Sequence, residues 1–272
     1  MPELPEVEVV KRELEALFVD QPRIEQIEFL RKDLRDPMPI AKIKLLIGAR
    51  ILKVSRRAKY LLIETEKGGL LSHLGMTGNW RVAVTGDDRL HDHVYLHLSN
   101  GLRLAFRDPR RFGILEIYDI LKPEKSPRLK NLGPEPLEDS FTEFYLWQKL
   151  KLRKGPVKPA LMDQKLVVGI GNIYASEALF RAGIRPQRKS NRVSLDSTKK
   201  LVAVIREILA AAIVGGGSSI SDFKGAKDQA GSYHLSHQVY DRKTLPCGIC
   251  ATPIRQSVMA GRSTFWCPVC QS

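Results

Sequence analysis

The chain has 272 residues, 43% of them apolar and 27% charged. That composition suits a folded protein with room for more than one compact unit, and it excludes wholesale disorder. Lys and Arg number 44 against 30 Asp and Glu, a net charge of +14 with a pI near 9.7, so a polyanion is favoured over an acidic partner, through phosphate contacts and counterion release.

The charge is unevenly spread. Residues 1–30 hold eight acids and three bases, whereas residues 31–60 hold ten bases and two acids. Residues 149–165 add six bases against one acid. Such stretches read either as solvated helix and strand faces or as the lining of a basic groove. The acidic opening Met1-Pro-Glu-Leu-Pro-Glu lacks the apolar core of a signal peptide, and the longest apolar run, 208–214, is far too short to span a bilayer. A cytoplasmic protein is expected.

In chain order, residues 6–18 predict a helix, with Val7, Val10, Leu14 and Leu17 on one face. Residues 24–120 read largely as strands, in short apolar or alternating runs such as Arg50-Ile-Leu-Lys-Val-Ser, Tyr60-Leu-Leu-Ile-Glu, Leu70-Leu-Ser-His-Leu and Val94-Tyr-Leu-His-Leu. Gly68-Gly69 and Asn100-Gly101 supply hairpin punctuation between some of them. After Pro123-Glu-Lys-Ser-Pro127 and the rigid Gly133-Pro-Glu-Pro136, the segments 141–152, 159–168, 173–182 and 197–214 predict helices. Asn172 is placed to cap the third of these helices and Gly183 to end it. Gly215-Gly-Gly-Ser-Ser then opens a long polar stretch reaching about residue 238, of a length that is usually functional or disordered. The expected class is α+β and multidomain. An N-terminal helix and β-sandwich fill 1–130, a helical domain fills 131–237, and a cysteine-bearing hairpin fills 238–272.

That hairpin carries all four cysteines. Cys247-Gly-Ile-Cys250 and Cys267-Pro-Val-Cys270 lie 16 residues apart, the spacing of two knuckles that supply four thiolates to one tetrahedral Zn²⁺. Two disulfides or free thiols are the other readings, and a cytoplasmic setting disfavours the disulfides. Four sulfur ligands leave no open position, so such a zinc organises structure and does not activate water. Arg262, in Ala260-Gly-Arg-Ser-Thr, reads by itself as a phosphate contact or a solvated charge.

Several short motifs are spread along the chain: Met1-Pro-Glu-Leu-Pro-Glu-Val-Glu8, Arg57-Ala-Lys-Tyr60, His73-Leu-Gly-Met-Thr-Gly78, Asp108-Pro-Arg-Arg-Phe-Gly113 and Gly169-Ile-Gly-Asn-Ile-Tyr174. With the four-cysteine hairpin they resemble, in order and nearly end to end, the formamidopyrimidine-DNA glycosylases. The resemblance implies a bifunctional DNA glycosylase and lyase that excises oxidised purines, 8-oxoguanine and formamidopyrimidines. Its partner would be double-stranded DNA, its only cofactor one structural zinc. The protein would be a monomer without a membrane association, acting on the nucleoid of a bacterial-type cytoplasm.

The chemistry explains the first motif. A small penultimate residue lets the initiator methionine be removed, which leaves Pro2 as a free secondary amine able to attack a sugar and form an iminium. Read alone, Pro2-Glu3 merely starts a helix and Lys59 is a solvated strand lysine. The resemblance instead makes Pro2 the nucleophile and Glu3 a general acid. It makes Lys59 and Arg262 phosphate-binding proton donors in the β- and δ-eliminations. Met76, Arg110 and Phe112 become the wedge that fills the hole left by a flipped base, with Arg110 pairing to the orphaned partner. His91, Arg153, Lys158, Asn172 and Tyr174 fall on phosphates, and the backbone about Ser218 and Ser219 on the extruded base. Two departures stand out: Val9 where relatives carry threonine, and Asp241 where Val-Tyr-Gly-Arg has glycine. Two alternatives stay open, an endonuclease VIII-like enzyme for oxidised pyrimidines and a non-catalytic zinc-containing DNA-binding protein.

Overall fold

The structure is a computed structural model and describes residues 1–84, 86–218 and 231–272. The chain divides into two units, Met1–Asn131 with Gly215–Ser232, and Leu132–Val214 with Tyr233–Ser272.

The first unit opens with helix α1 (Leu4–Leu17). Glu3 is its N-cap, and its own N–H donates to Glu6 Oε2 at 2.8 Å, the return half of a capping box. Strand β1 (Ile24–Phe29) and the short helix α2 (Ile40–Lys44) follow. The remaining strands are β2 (Ile51–Arg57), β3 (Tyr60–Thr65), β4 (Gly68–His73), β5 (Asn79–Ala83), β6 (Asp92–Leu98), β7 (Arg103–Arg107) and β8 (Ile114–Tyr118). They form two antiparallel sheets, ordered β1-β6-β7-β5 and β2-β3-β4-β8. Ile27, Trp80, Val94 and Phe106 of the first sheet share one buried cluster with Val54, Leu61, Ile63 and Leu115 of the second. Val7, Val10 and Leu14, one stripe of α1, are 0% exposed and join that cluster. Each such side chain contributes about 1.5–3 kcal/mol by leaving water. This is the expected helix and β-sandwich.

Gly68-Gly69 departs from expectation, because it opens β4 and does not make the preceding turn. A Cβ on Gly69 would lie 2.2 Å from the Tyr118 ring, so glycine is needed there for close approach across the sheet. Asn100-Gly101 does join β6 to β7, with Gly101 at φ 78°.

The second unit holds α3 (Glu143–Lys151), α4 (Val157–Leu161), α5 (Asn172–Ala182) and α6 (Leu195–Val214). The helix expected over 159–168 is therefore only five residues long and starts earlier. Asp163 explains the early end: its Oδ1 accepts from the Lys165 N–H at 3.0 Å, a local bond that competes with helix. Gln164 then organises the turns, accepting from Gly169 N–H at 2.8 Å while its Nε2 donates to Met162 O and Ile170 O. Gly183 ends α5 in the left-handed region at φ 74°, as expected. Asp241 also sits left-handed, at φ 58°, which explains why a glycine would suit that position; aspartate is among the few other residues that tolerate it.

The hairpin β9 (Arg255–Met259) and β10 (Arg262–Trp266) closes the chain. Its cysteines Cys247 and Cys267 pack with Val239, Ile254 and Phe265 against Phe180 of α5. Among the described residues, no helix is long and apolar enough to cross a membrane.

Candidate active site and nucleic-acid interface

In the first unit the chemistry-bearing residues converge on the start of α1. Pro2 is buried, and Glu3 and Glu6 are only 2% and 1% exposed. The α-amino group, carried by Met1 in the encoded chain, has its pKa lowered by burial. Glu3 and Glu6 oppose that shift, while Lys59 and Arg110 reinforce it. Burial of this kind disfavours the protonated form of an amine, the form that cannot act as a nucleophile.

Lys59 is not on a strand edge as expected. It occupies the two-residue turn between β2 and β3, is buried, and follows Ala58, whose φ of 55° is left-handed. Arg56 fixes that turn, with one nitrogen 2.9 Å from Ala58 O and another 2.9 Å from Glu8 of α1. The catalytic candidates Glu3 and Lys59 are thus tied to one another through α1 and the hairpin.

Sequence reasoning passed over two residues at this centre. Glu6 splits its carboxylate, Oε2 taking the Glu3 N–H and Oε1 the Ser218 N–H at 2.7 Å. The Ser218 amide is therefore engaged by Glu6; Ser219 lies outside the described residues. Gly217, at φ 82°, lets the chain come this close, since a Cβ there would lie 3.0 Å from Glu6. The partners are 212 residues apart, so no local pattern announces them. The second is His73, which packs on Tyr60 with ring centroids 4.9 Å apart and planes tilted by 48°, and accepts from Gly75 N–H through Nδ1 at 3.1 Å. Burial, aided by the Lys59, Arg35 and Arg128 cations, pushes its pKa down to about 4. The ring is neutral at physiological pH and carries its proton on Nε2.

The expected wedge residues lie on two turns, Met76 after β4, Arg110 and Phe112 before β8. Met76 is half-buried, and Phe112 is 42% exposed although large and apolar. The Arg110 guanidinium carbon stands 5.1 Å from the Phe112 ring centroid. Gly75, at φ 62°, brings the turns into backbone contact: a Cβ there would lie 2.3 Å from the Phe112 carbonyl carbon. His91, left-handed at φ 75°, is half-buried in the loop before β6.

In the second unit the residues expected on phosphates are engaged within the protein. Lys158 is 1% exposed, and its Nζ donates to Asn172 Oδ1 at 2.7 Å, Thr264 Oγ1 at 2.8 Å and Ser263 O at 2.9 Å. Its ammonium braces α4 and α5 against β10. Asn172 is the first residue of α5 and does not cap it; Gly171 is the N-cap, and the Asn172 side chain is committed to Lys158. Tyr174 is buried, 1% exposed, with its ring 6.1 Å from that of Tyr233. Arg153 remains partly exposed and pairs with Asp163 at 2.7 Å, an arrangement of little energetic consequence at a surface. Arg262 is exposed at the start of β10, just after Ala260 and Gly261, both left-handed.

Lys158→Ala is accordingly expected to act on stability, leaving three acceptors without a donor at a cost of about 1–3 kcal/mol. Urea unfolding and the salt dependence of duplex binding decide the matter. A salt slope shallower by ~0.9 at unchanged stability would instead put this ammonium on a phosphate.

The four cysteine sulfurs lie within 4.8 Å of one another, with Cys250 and Cys267 at 3.4 Å and Cys247 and Cys270 at 3.9 Å. Those separations far exceed a sulfur–sulfur bond of about 2 Å. They bracket the edge of about 3.8 Å for a tetrahedron with zinc–sulfur bonds of about 2.3 Å. The residues fit one structural zinc.

Comparison with known proteins extends along the whole chain. Residues 1–115 match the formamidopyrimidine-DNA glycosylase N-terminal domain, residues 132–224 the H2TH domain of the same enzymes, and residues 245–272 a zinc finger found in FPG and IleRS. A formamidopyrimidine-DNA glycosylase of Bdellovibrio bacteriovorus is 55% identical over 271 residues, covering 100% of both chains. A Lactococcus lactis FPG mutant solved with DNA containing Fapy-dG superposes with a TM-score of 0.92 at 36% identity, covering 99% of each chain. MutM in complex with DNA containing carbocyclic 8-oxo-G superposes at 0.90, also at 36% identity and 99% coverage of each chain.

Proposed function

The chain belongs to the formamidopyrimidine-DNA glycosylase family, and we propose that it excises oxidised purines from double-stranded DNA by way of a Schiff base on Pro2, then cleaves the strand. The observation that carries this reading is the buried start of α1, where Glu3, Glu6 and Lys59 surround the chain's amino group.

Once Met1 is removed, the Pro2 nitrogen holds a lone pair. Glu3 gives a proton to the sugar ring oxygen as the ring opens, the nitrogen bonds to the anomeric carbon and loses its own proton to the departing base, and the bond to the base breaks with its electrons leaving on the base. The resulting iminium draws electrons from the sugar, so a proton is lost from the adjacent carbon and the 3′ phosphate departs. A second loss further along releases the 5′ phosphate. Lys59, held by its tight turn, is the proton donor for the first elimination, and Arg262, exposed on its hairpin, for the second. Met76, Arg110 and Phe112 fill the gap in the stack while the base is out. His91 and Arg153 hold phosphates, and the zinc supplies only the folding of the hairpin that carries Arg262. The segments 1–130, 131–237 and 238–272 serve as catalytic, DNA-holding and zinc-finger parts. The protein acts as a monomer in the bacterial cytoplasm.

This reading predicts faster excision of 8-oxoguanine opposite cytosine than of thymine glycol opposite adenine, compared as single-turnover rates on otherwise identical duplexes. The opposite order would move the protein to the endonuclease VIII-like class.

A further inference from the structure

Met76 lies on one turn and Arg110 and Phe112 on another, so a three-residue wedge keeps its shape only if the turns hold a fixed spacing. Asp108 stands at their junction. Its carboxylate is fully buried, with Oδ1 accepting from Thr77 Oγ1 at 2.7 Å and Oδ2 from Gly113 N–H at 2.7 Å. Thr77 Oγ1 in turn accepts from the Arg110 N–H at 3.1 Å.

Each wedge residue is therefore one step from the same carboxylate. Met76 immediately precedes Thr77, Phe112 immediately precedes Gly113, and Arg110 is bonded through its backbone to Thr77. The Asp108 backbone is held as well. Its N–H donates to His91 O at 3.0 Å, and its carbonyl accepts from Arg111 N–H at 3.1 Å with His93 Nε2 2.9 Å away. Two bonds of 2.7 Å to one carboxyl group in a dry site are among the stiffer links a protein can make. A wedge must resist the push of the stacked bases, and stiffness of this kind serves that end.

We propose that Asp108 and Thr77 are positioning residues that lock the two turns into a single wedge, and so set how well the flipped state is held. The proposal rests on the wedge reading above. It assigns them no part in bond making or breaking at the N-terminus, so their effect should depend on whether there is a base to extract. An abasic sugar has none.

The test compares Thr77→Val, which keeps the shape and removes the hydroxyl, with Thr77→Ser, which keeps the hydroxyl. Each is given one duplex with 8-oxoguanine opposite cytosine and one with a preformed abasic site, under single turnover. Loss of one such hydrogen-bonded joint should slow 8-oxoguanine release by Thr77→Val roughly three- to tenfold. Cleavage of the abasic duplex should stay within about twofold, and Thr77→Ser should restore release. The fluorescence change of a 2-aminopurine beside the lesion should shrink in Thr77→Val and recover in Thr77→Ser. Equal slowing on both substrates, or no slowing on either, overturns the proposal. Phe112→Ala is run alongside to keep the two readings apart. Normal excision by Phe112→Ala removes the wedge itself, whereas impaired excision by Phe112→Ala with normal excision by Thr77→Val removes only the Asp108–Thr77 lock.

Discussion

Replacing Glu3 with glutamine is expected to slow base release by at least about 100-fold, the usual cost of losing a positioned general acid. Glutamine keeps the size of the side chain and an oxygen that can accept a helix-capping bond, so the fold should survive. Glu3 is 2% exposed at the N-cap of α1, and its backbone N–H is already taken by Glu6, which the substitution leaves in place. The measurement is single-turnover release of 8-oxoguanine, accompanied by thermal unfolding and by binding to an undamaged duplex. Release should collapse while melting temperature and binding stay near those of the unaltered protein. Release at the normal rate would remove Glu3 from the chemistry and leave it a helix cap.

What the sequence makes legible here is what is local. Alternation and glycine punctuation mark the strands, a 3.6-residue stripe marks α1, and two Cys-x-x-Cys pairs mark the zinc hairpin. The left-handed end of α5 is visible as Gly183. What stays hidden in the sequence is where a distant partner decides a side chain's fate. Lys158 lies in a basic stretch and looks like a surface cation, yet Ser263 and Thr264, 105 and 106 residues away, draw it inside. Asn172 has the right identity for a cap, but the same buried lysine takes its side chain, and Gly171 is left as the cap. Glu6 reads as one more acid on a solvated helix, because Ser218 cannot be seen beside it in the sequence.

Asp163 is a different kind of miss. Aspartate favours turns over helix interiors, a local signal that the apolar residues on either side of it mask. Likewise Gly68-Gly69 has the composition of a turn, yet Gly69 serves instead to admit the Tyr118 ring across the sheet. Glycine marks a place where the backbone needs freedom or room, and only the neighbours decide which.

The Schiff base is the centre of the account, and borohydride trapping tests it most directly. Borohydride reduces an iminium to a stable amine, fixing protein to DNA. With Met1 removed, as verified by intact mass, the protein should be trapped on a duplex carrying 8-oxoguanine opposite cytosine. The same protein with an uncleaved N-terminal extension has Pro2 in a peptide bond, with no lone pair to give, and should form no trapped complex while still binding undamaged duplex. Undiminished trapping by the extended protein would contradict the account and place the nucleophile elsewhere.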